Sequence, residues 1–324
     1  MIDSHMHYGD DAPEVLAFLE AHDLKFLNIC IAWGGGKPWR DQAVRYSGLT
    51  QRYPHRFAWC TSFDLPEPTD HAAEYVDRVC AQLAQDFADG AIACKIWKNI
   101  GMEQRKADGS FVLPDDPIFG PILDFVAKEE RTLLCHIAEP LECWQPLNPD
   151  GVHFGYYSRN PEWHMYNKPE FPSHTALMSA RDHLIEKHPD LRVVGAHFGS
   201  HEYSMAEVAE RLDRYPNYAV DISARLGDIA RQDTEVVREF FTKYADRVLF
   251  GTDIVLKESF STLTPHARQT ALHDLLENYQ AHWQFFERSD VISIRNRPTQ
   301  GLGLPEATLR KFYGDSARQW YPGL

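Results

Sequence analysis

The chain has 324 residues, 44% hydrophobic and 25% charged, the composition of a globular protein with a large core. Its formal net charge of −14 excludes a general binder of nucleic acid or anionic membrane, which needs a basic face. No run of about 18 or more apolar residues is present, so no membrane span is expected.

Residues 1–7 read as a short strand ending in His-x-His. Alternation along a strand places His5 and His7 on one face, together with Asp3, and two imidazoles at a strand end suit one metal ion. Asp3, Asp10 and Asp11 replace the basic-then-apolar order of a secretion leader, so the expected location is the cytoplasm. A helix follows over 13–22, then a strand over 26–33. Gly34, Gly35, Gly36 and Lys37 resemble a phosphate loop but lack its Gly-Lys-Ser/Thr ending, and are read as a loop over the strand end. Further strands are predicted over 57–63, 91–97, 132–138, 191–198, 218–224 and 247–254. Helices are predicted over 70–87, 116–130, 173–187, 203–214 and 234–244, with a tail of two more over 265–288 and 305–320. Nearly continuous hydrophobicity in the strands indicates cover on both faces. Eight strand–helix units predict an α/β fold, a closed (β/α)8 TIM barrel forming a single domain over 1–324. The connection 139–172 is long and rich in aromatics, and is expected to be a lid over the barrel mouth. Cys30, Cys60, Cys94 and Cys135 sit in apolar runs and read as buried, reduced packing residues.

Polar residues recur at the C-terminal ends of these strands, where barrels carry their active sites. His5 and His7 end the first, Lys95 lies in the fourth, His136 in the fifth, His197 ends the sixth and Asp253 ends the eighth. Singly, His136 is compatible with a core histidine, Asp253 with a turn residue and Lys95 with a snorkelling side chain. Jointly, they converge on one site.

The stretches IDSHMH, VVGAHFGS, RYPNYAVDIS and DRVLFGTD, with KFYGDSARQWY near the end, resemble the amidohydrolase superfamily. The resemblance is to the amidohydrolase-related branch that includes aminocarboxymuconate-semialdehyde decarboxylase, resorcylate decarboxylases and lactone hydrolases. It implies that His5, His7, His136 and Asp253 bind a divalent metal, zinc first and manganese second. His197 is then a further ligand or a general acid/base. Lys95 stands where many superfamily hydrolases carry a carboxylated lysine bridging two metals, so one ion or two are both open. Asp315-Ser316-Ala317 departs from the family's frequent Asn-Ala at that point.

These roles imply a metal-dependent hydrolase of a small carboxylated substrate, a lactone, ester or amide, using a metal-activated water with Asp253 and His197 as catalytic groups. The alternative is a metal-dependent non-oxidative decarboxylase of an aminocarboxymuconate-semialdehyde- or resorcylate-like acid. Lys95, Lys98, Arg225 and Arg159 are candidate cations for the substrate's carboxylates, and Trp97, Trp144, Tyr156, Tyr157 and Trp163 candidate walls. Glu139 is a candidate acid/base or a partner of the metal ligands. A homodimer is the default assembly by base rate.

Overall fold

The computed structural model describes residues 1–33, 37–67, 70–256 and 259–324. The glycine trio at 34–36 lies outside the described residues. Nine parallel strands form one sheet: β1 (Ile2–His7), β2 (Lys25–Ile29), β3 (Phe57–Ser62), β4 (Ala91–Ile96), β5 (Thr132–Cys135), β6 (Arg192–Gly195), β7 (Tyr218–Asp221), β8 (Val248–Leu249) and β9 (Ile254–Val255). Helices join consecutive strands from β1 to β8, as parallel pairing requires. Every residue of β1, β3, β4, β5 and β7 is buried, which explains their unbroken apolar runs.

The sheet is not the closed barrel expected from the sequence. It is open and curled into a half-barrel, in the order β8-β7-β6-β5-β4-β3-β2-β1-β9, with edges 15 Å apart. The stretch predicted as one eighth strand breaks into two short pieces that join opposite edges. Between them, the ideal Cβ position of Gly251 lies 3.1 Å from His5 Cβ, and Asp253 adopts a φ of 62°, outside the strand conformation. Individual backbone bonds, Ser4 N–H to Phe250 O at 2.9 Å and Asp253 N–H to His5 O at 2.8 Å, tie this turn to β1.

Asp3 does not share the face of His5 and His7 that strand alternation predicts for it. The β1–β2 register slips between Asp3 and Met6, a bulge that changes the alternation. Ile2, His5 and His7 therefore share the concave side while Asp3 turns outward. There it accepts hydrogen bonds from Thr252 Oγ1 and from Tyr279 Oη, both at 2.6 Å. The concave side is filled by Ile2, Leu27, Ile29, Ala58, Cys60, Leu134, Val194, Ala219 and Leu249, with Trp320 and Tyr321 packed against them. Continuing these rows by twos toward the C-terminal ends leads from Ala93 to Lys95, from Leu134 to His136 and from Ala219 to Asp221. The fold thus delivers polar side chains to one end of an otherwise apolar trough.

Helix Lys37–Arg52 and the hairpin Val291–Ile294/Arg297–Gln300 have no counterpart in the sequence reading. The final helix is interrupted by a π-helical turn over Lys311–Asp315. All six cysteines are free, five of them buried. No described helix is long and apolar enough to cross a membrane.

Tyr279→Phe removes a donor from a fully buried carboxylate. It should lower unfolding stability by about 1.5–3 kcal/mol, read as a reduced urea midpoint with unchanged slope.

Candidate metal centre and active site

His5, His7 and Asp253 each offer one ligand atom, and the three atoms lie within 4.8 Å of one another. Asp253 Oδ1 is 3.3 Å from His7 Nε2 and 3.5 Å from His5 Nε2. The histidines are buried, whereas the Asp253 side chain is 28% exposed, which leaves the cluster open on one side.

Asp221, at the end of β7, orients this cluster. Its carboxylate accepts from His5 Nδ1–H at 2.9 Å, from the His197 and Ser223 backbone N–H groups at 2.9 and 3.0 Å, and from Ser223 Oγ–H at 2.5 Å. A carboxylate on Nδ1 fixes the His5 tautomer and frees Nε2 to ligate. Burial alone would raise the Asp221 pKa, but His5, His197 and Ser223 outweigh it and hold the carboxyl down at about 2.

His197 and His136 stand beside the cluster as a pair, His197 Nε2 lying 3.2 Å from His136 Nδ1 and the ring centroids 4.2 Å apart. His197 Nδ1–H donates to Ser223 O at 2.9 Å. His197 follows β6 in a turn with φ values of 57°, 61°, 61° and 57° over His197–Ser200, and it is this left-handed run that re-aims the imidazole. Lys95 is buried, with Nζ 3.2 Å from His5 Nε2.

The electrostatics suit a cation. Burial pulls the His7 and His136 pKa values down, His136 further because His197 and Lys95 adjoin it, and pulls His197 to about 3. Around Asp253 burial would act upward, yet His197, His7 and His5 prevail and hold its carboxyl well below the usual range. Burial also lowers the Lys95 ammonium. Neutral imidazoles beside an ionised carboxylate are the protonation state that divalent metals require. This His/His/Asp cluster is capable of coordinating a divalent cation.

The open side faces a cavity of about 430 Å³, lined by His136, His197 and Asp253 and by Lys98, Glu139, His153, Tyr156, Arg159, Arg225 and Arg295 among others. Part of its wall comes from 139–172, an ordered segment built of short helical turns. Lys98 Nζ pairs with Glu139, which also accepts from Tyr157 Oη at 3.1 Å, and sits 4.0 Å from the Trp163 ring centroid. Arg225 is buried, donates through Nη1 to Ala224 O at 3.1 Å, leaves Nε without a partner, and makes no ion pair among the described residues.

A family model described as Amidohydrolase matches residues 2–323. The chain belongs to the amidohydrolase family. No curated protein matches its sequence. Among solved structures it is similar to 2,6-dihydroxybenzoate decarboxylase from Rhizobium, at 16% identity and TM-score 0.54, over 99% of this chain and 97% of that one. It is also similar to 5-carboxyvanillate decarboxylase from Sphingomonas paucimobilis, at 15% identity and TM-score 0.53, over 96% and 83% of the two chains. A third is 4-oxalomesaconate hydratase from Rhodopseudomonas palustris, at 13% identity and TM-score 0.53, over 100% and 96%. At these identities the likeness is one of fold.

Of the residues singled out in the sequence of this amidohydrolase-family chain, His5, His7 and Asp253 form the three-donor cluster, with His136, His197 and Lys95 packed around it. Glu139 and Arg225 line the cavity. Trp97 is not among the cavity-lining residues; it packs against Trp33, His136 and Trp163, at centroid distances of 6.0, 6.3 and 5.7 Å. The sequence reading missed Asp221 and Ser223. Their signal was an acid closing the apolar run Tyr218–Asp221. Asp221→Asn should weaken zinc affinity about 10–100-fold with the fold retained, measured by competition with a chromogenic chelator and by circular dichroism.

Proposed function

We propose that this chain is a metal-dependent, non-oxidative decarboxylase of a small carboxylic acid bearing a hydroxyl or oxo group beside the carboxylate. The observation that carries the reading is Arg225. A buried guanidinium that makes no ion pair among the described residues, although the Glu202 carboxylate acts on it at longer range, lines the same cavity as His136, His197 and Asp253, and a substrate carboxylate would supply an anion in bidentate geometry. Two of the similar structures described above are named as decarboxylases, which supports a carboxy-lyase over the lactone, ester or amide hydrolase first expected from the sequence.

His5, His7 and Asp253 are the residues that would hold the ion, with His136 as a further donor and zinc or manganese as the fitting metals. When bound, the ion supplies a Lewis acid for the substrate's oxygens. Arg225 anchors a carboxylate of the acid in the cavity. His197, its Nδ1–H tied to Ser223 O, turns Nε2 toward His136 Nδ1 and so orients that ring beside the cavity. Asp221 keeps His5 and His197 in register throughout. The segment 139–172 restricts water over the reacting bond.

Arg225→Ala should raise KM about 10–100-fold, the loss of a charge-assisted contact, with metal content unchanged. The assay is CO2 release by metal-loaded protein from a panel of hydroxybenzoates and oxo acids. Turnover of lactones, esters or amides without CO2 release from any acid would refute the carboxy-lyase reading.

A further inference from the structure

In a chain of net charge −14, the cavity beside the metal donors carries three arginines. Arg225 is buried and lies close enough to His136 and His197 to act on both, whereas Arg159 and Arg295 stand exposed in the cavity wall. None of the three makes an ion pair among the described residues. The acids around them are engaged elsewhere. Glu139 pairs with Lys98, Asp228 Oδ1 lies 2.9 Å from His153 Nε2, and Glu142 accepts from the Val152 and His153 backbone N–H groups at 3.2 and 3.1 Å. Different parts of the fold supply the two outer arginines. Arg159 belongs to the segment 139–172 and donates through Nε to Gly155 O at 2.6 Å. Arg295 comes from the turn of the hairpin Val291–Ile294/Arg297–Gln300, with a φ of 49° and Nη1 3.5 Å from Val152 O. Its side chain lies across Gly227, where a Cβ would come 3.1 Å from Nη1 and 3.2 Å from Cζ. Arg231 and Arg297 tie down the same stretch of wall, donating to Asp150 O at 2.8 and 3.3 Å. A guanidinium has five N–H donors, and Arg159 and Arg295 each commit one to a carbonyl, leaving the others for an anion.

We propose that Arg159 and Arg295 form an outer anion subsite, and that the substrate is a dicarboxylic acid whose second carboxylate they bind while Arg225 holds the first beside the metal donors. The proposal rests on the carboxy-lyase reading for the reaction, but not for binding. The argument is one of charge balance. Cations that share a small cavity without acids of their own repel one another, and an anion between them relieves that repulsion. A monoacid satisfies Arg225 and leaves the outer pair to water. A diacid engages both ends, and its orientation decides which carboxylate is lost. The one beside His136, His197 and Asp253 leaves as CO2, its carbon keeping the electron pair of the broken bond and taking up a proton. The one on Arg159 and Arg295 stays in the product.

The test compares metal-loaded full-length wild type, Arg159→Ala, Arg295→Ala and Arg295→Lys on a panel of hydroxybenzene and oxo dicarboxylic acids. Each diacid is paired with its monoamide, which keeps the size and removes one charge. Affinity is read by isothermal titration calorimetry, and CO2 release is followed on the same pairs. Wild type should bind the preferred diacid about 10–100-fold tighter than its monoamide, the magnitude of charge-assisted contacts, with the margin shrinking as salt is raised. Each alanine variant should cut that margin about 10-fold, and Arg295→Lys should restore part of it, because the charge returns without the fork of donors. The readout is a ratio within one protein, so a general loss of folded or metal-loaded material cancels. Equal affinity for diacid and monoamide across the panel, or a margin that both alanine variants leave unchanged, overturns the outer subsite even where CO2 is released. Arginine-dependent preference for a diacid with no CO2 from any acid upholds the subsite and overturns the carboxy-lyase reading.

Discussion

One buried carboxylate sets the geometry of the whole site. Asp221 is fully excluded from solvent, and an ionised group there is tolerable only because four donors converge on it. Those donors belong to β1, to the turn after β6 and to the residues after β7. Satisfying Asp221 therefore fixes where His5 and His197 point before any ligand arrives. A hydrogen-bonded acid behind the ligand set also raises the basicity of His5 Nε2.

Around that anchor, two departures from regular strand geometry aim the remaining groups. The bulge in β1 puts His5 and His7 on the concave face and sends Asp3 outward, where Thr252 and Tyr279 hold it. The break after β8 places Asp253 against both histidines, through a left-handed backbone and a bond to His5 O. Asp3 holds Thr252, and Thr252 precedes Asp253. The outward acid thus braces the loop that carries the third donor. The same break leaves the sheet open.

Much of this was legible in the sequence because local pattern determines it. The apolar runs mark the strands, and polar residues at their ends mark the functional end of the sheet. Other features depend on contacts distant in sequence. Splitting of the eighth strand follows from Gly251 packing on His5, some 246 positions away in the chain, and the bulge in β1 shows only in the pairing with β2. Helix Lys37–Arg52 does carry a buried stripe of Trp39, Ala43, Tyr46 and Leu49, but abundant charge between them and Gly48 blur its periodicity. The hairpin turns through Arg295 and Asn296, both left-handed, rather than through an Asn-Gly pair that would announce it. Asp221 resembles an ordinary strand-end residue. His153 and Asp228 are 75 positions apart, with no motif joining them.

His5, His7 and Asp253 are arranged to hold a divalent cation at the open end of the trough. Anomalous diffraction from crystals equilibrated with zinc or manganese tests it most directly. A strong peak is expected about 2.0–2.2 Å from His5 Nε2, His7 Nε2 and an Asp253 carboxylate oxygen. Crystals whose anomalous density lies elsewhere, or that show none at this cluster under saturating metal, would contradict it.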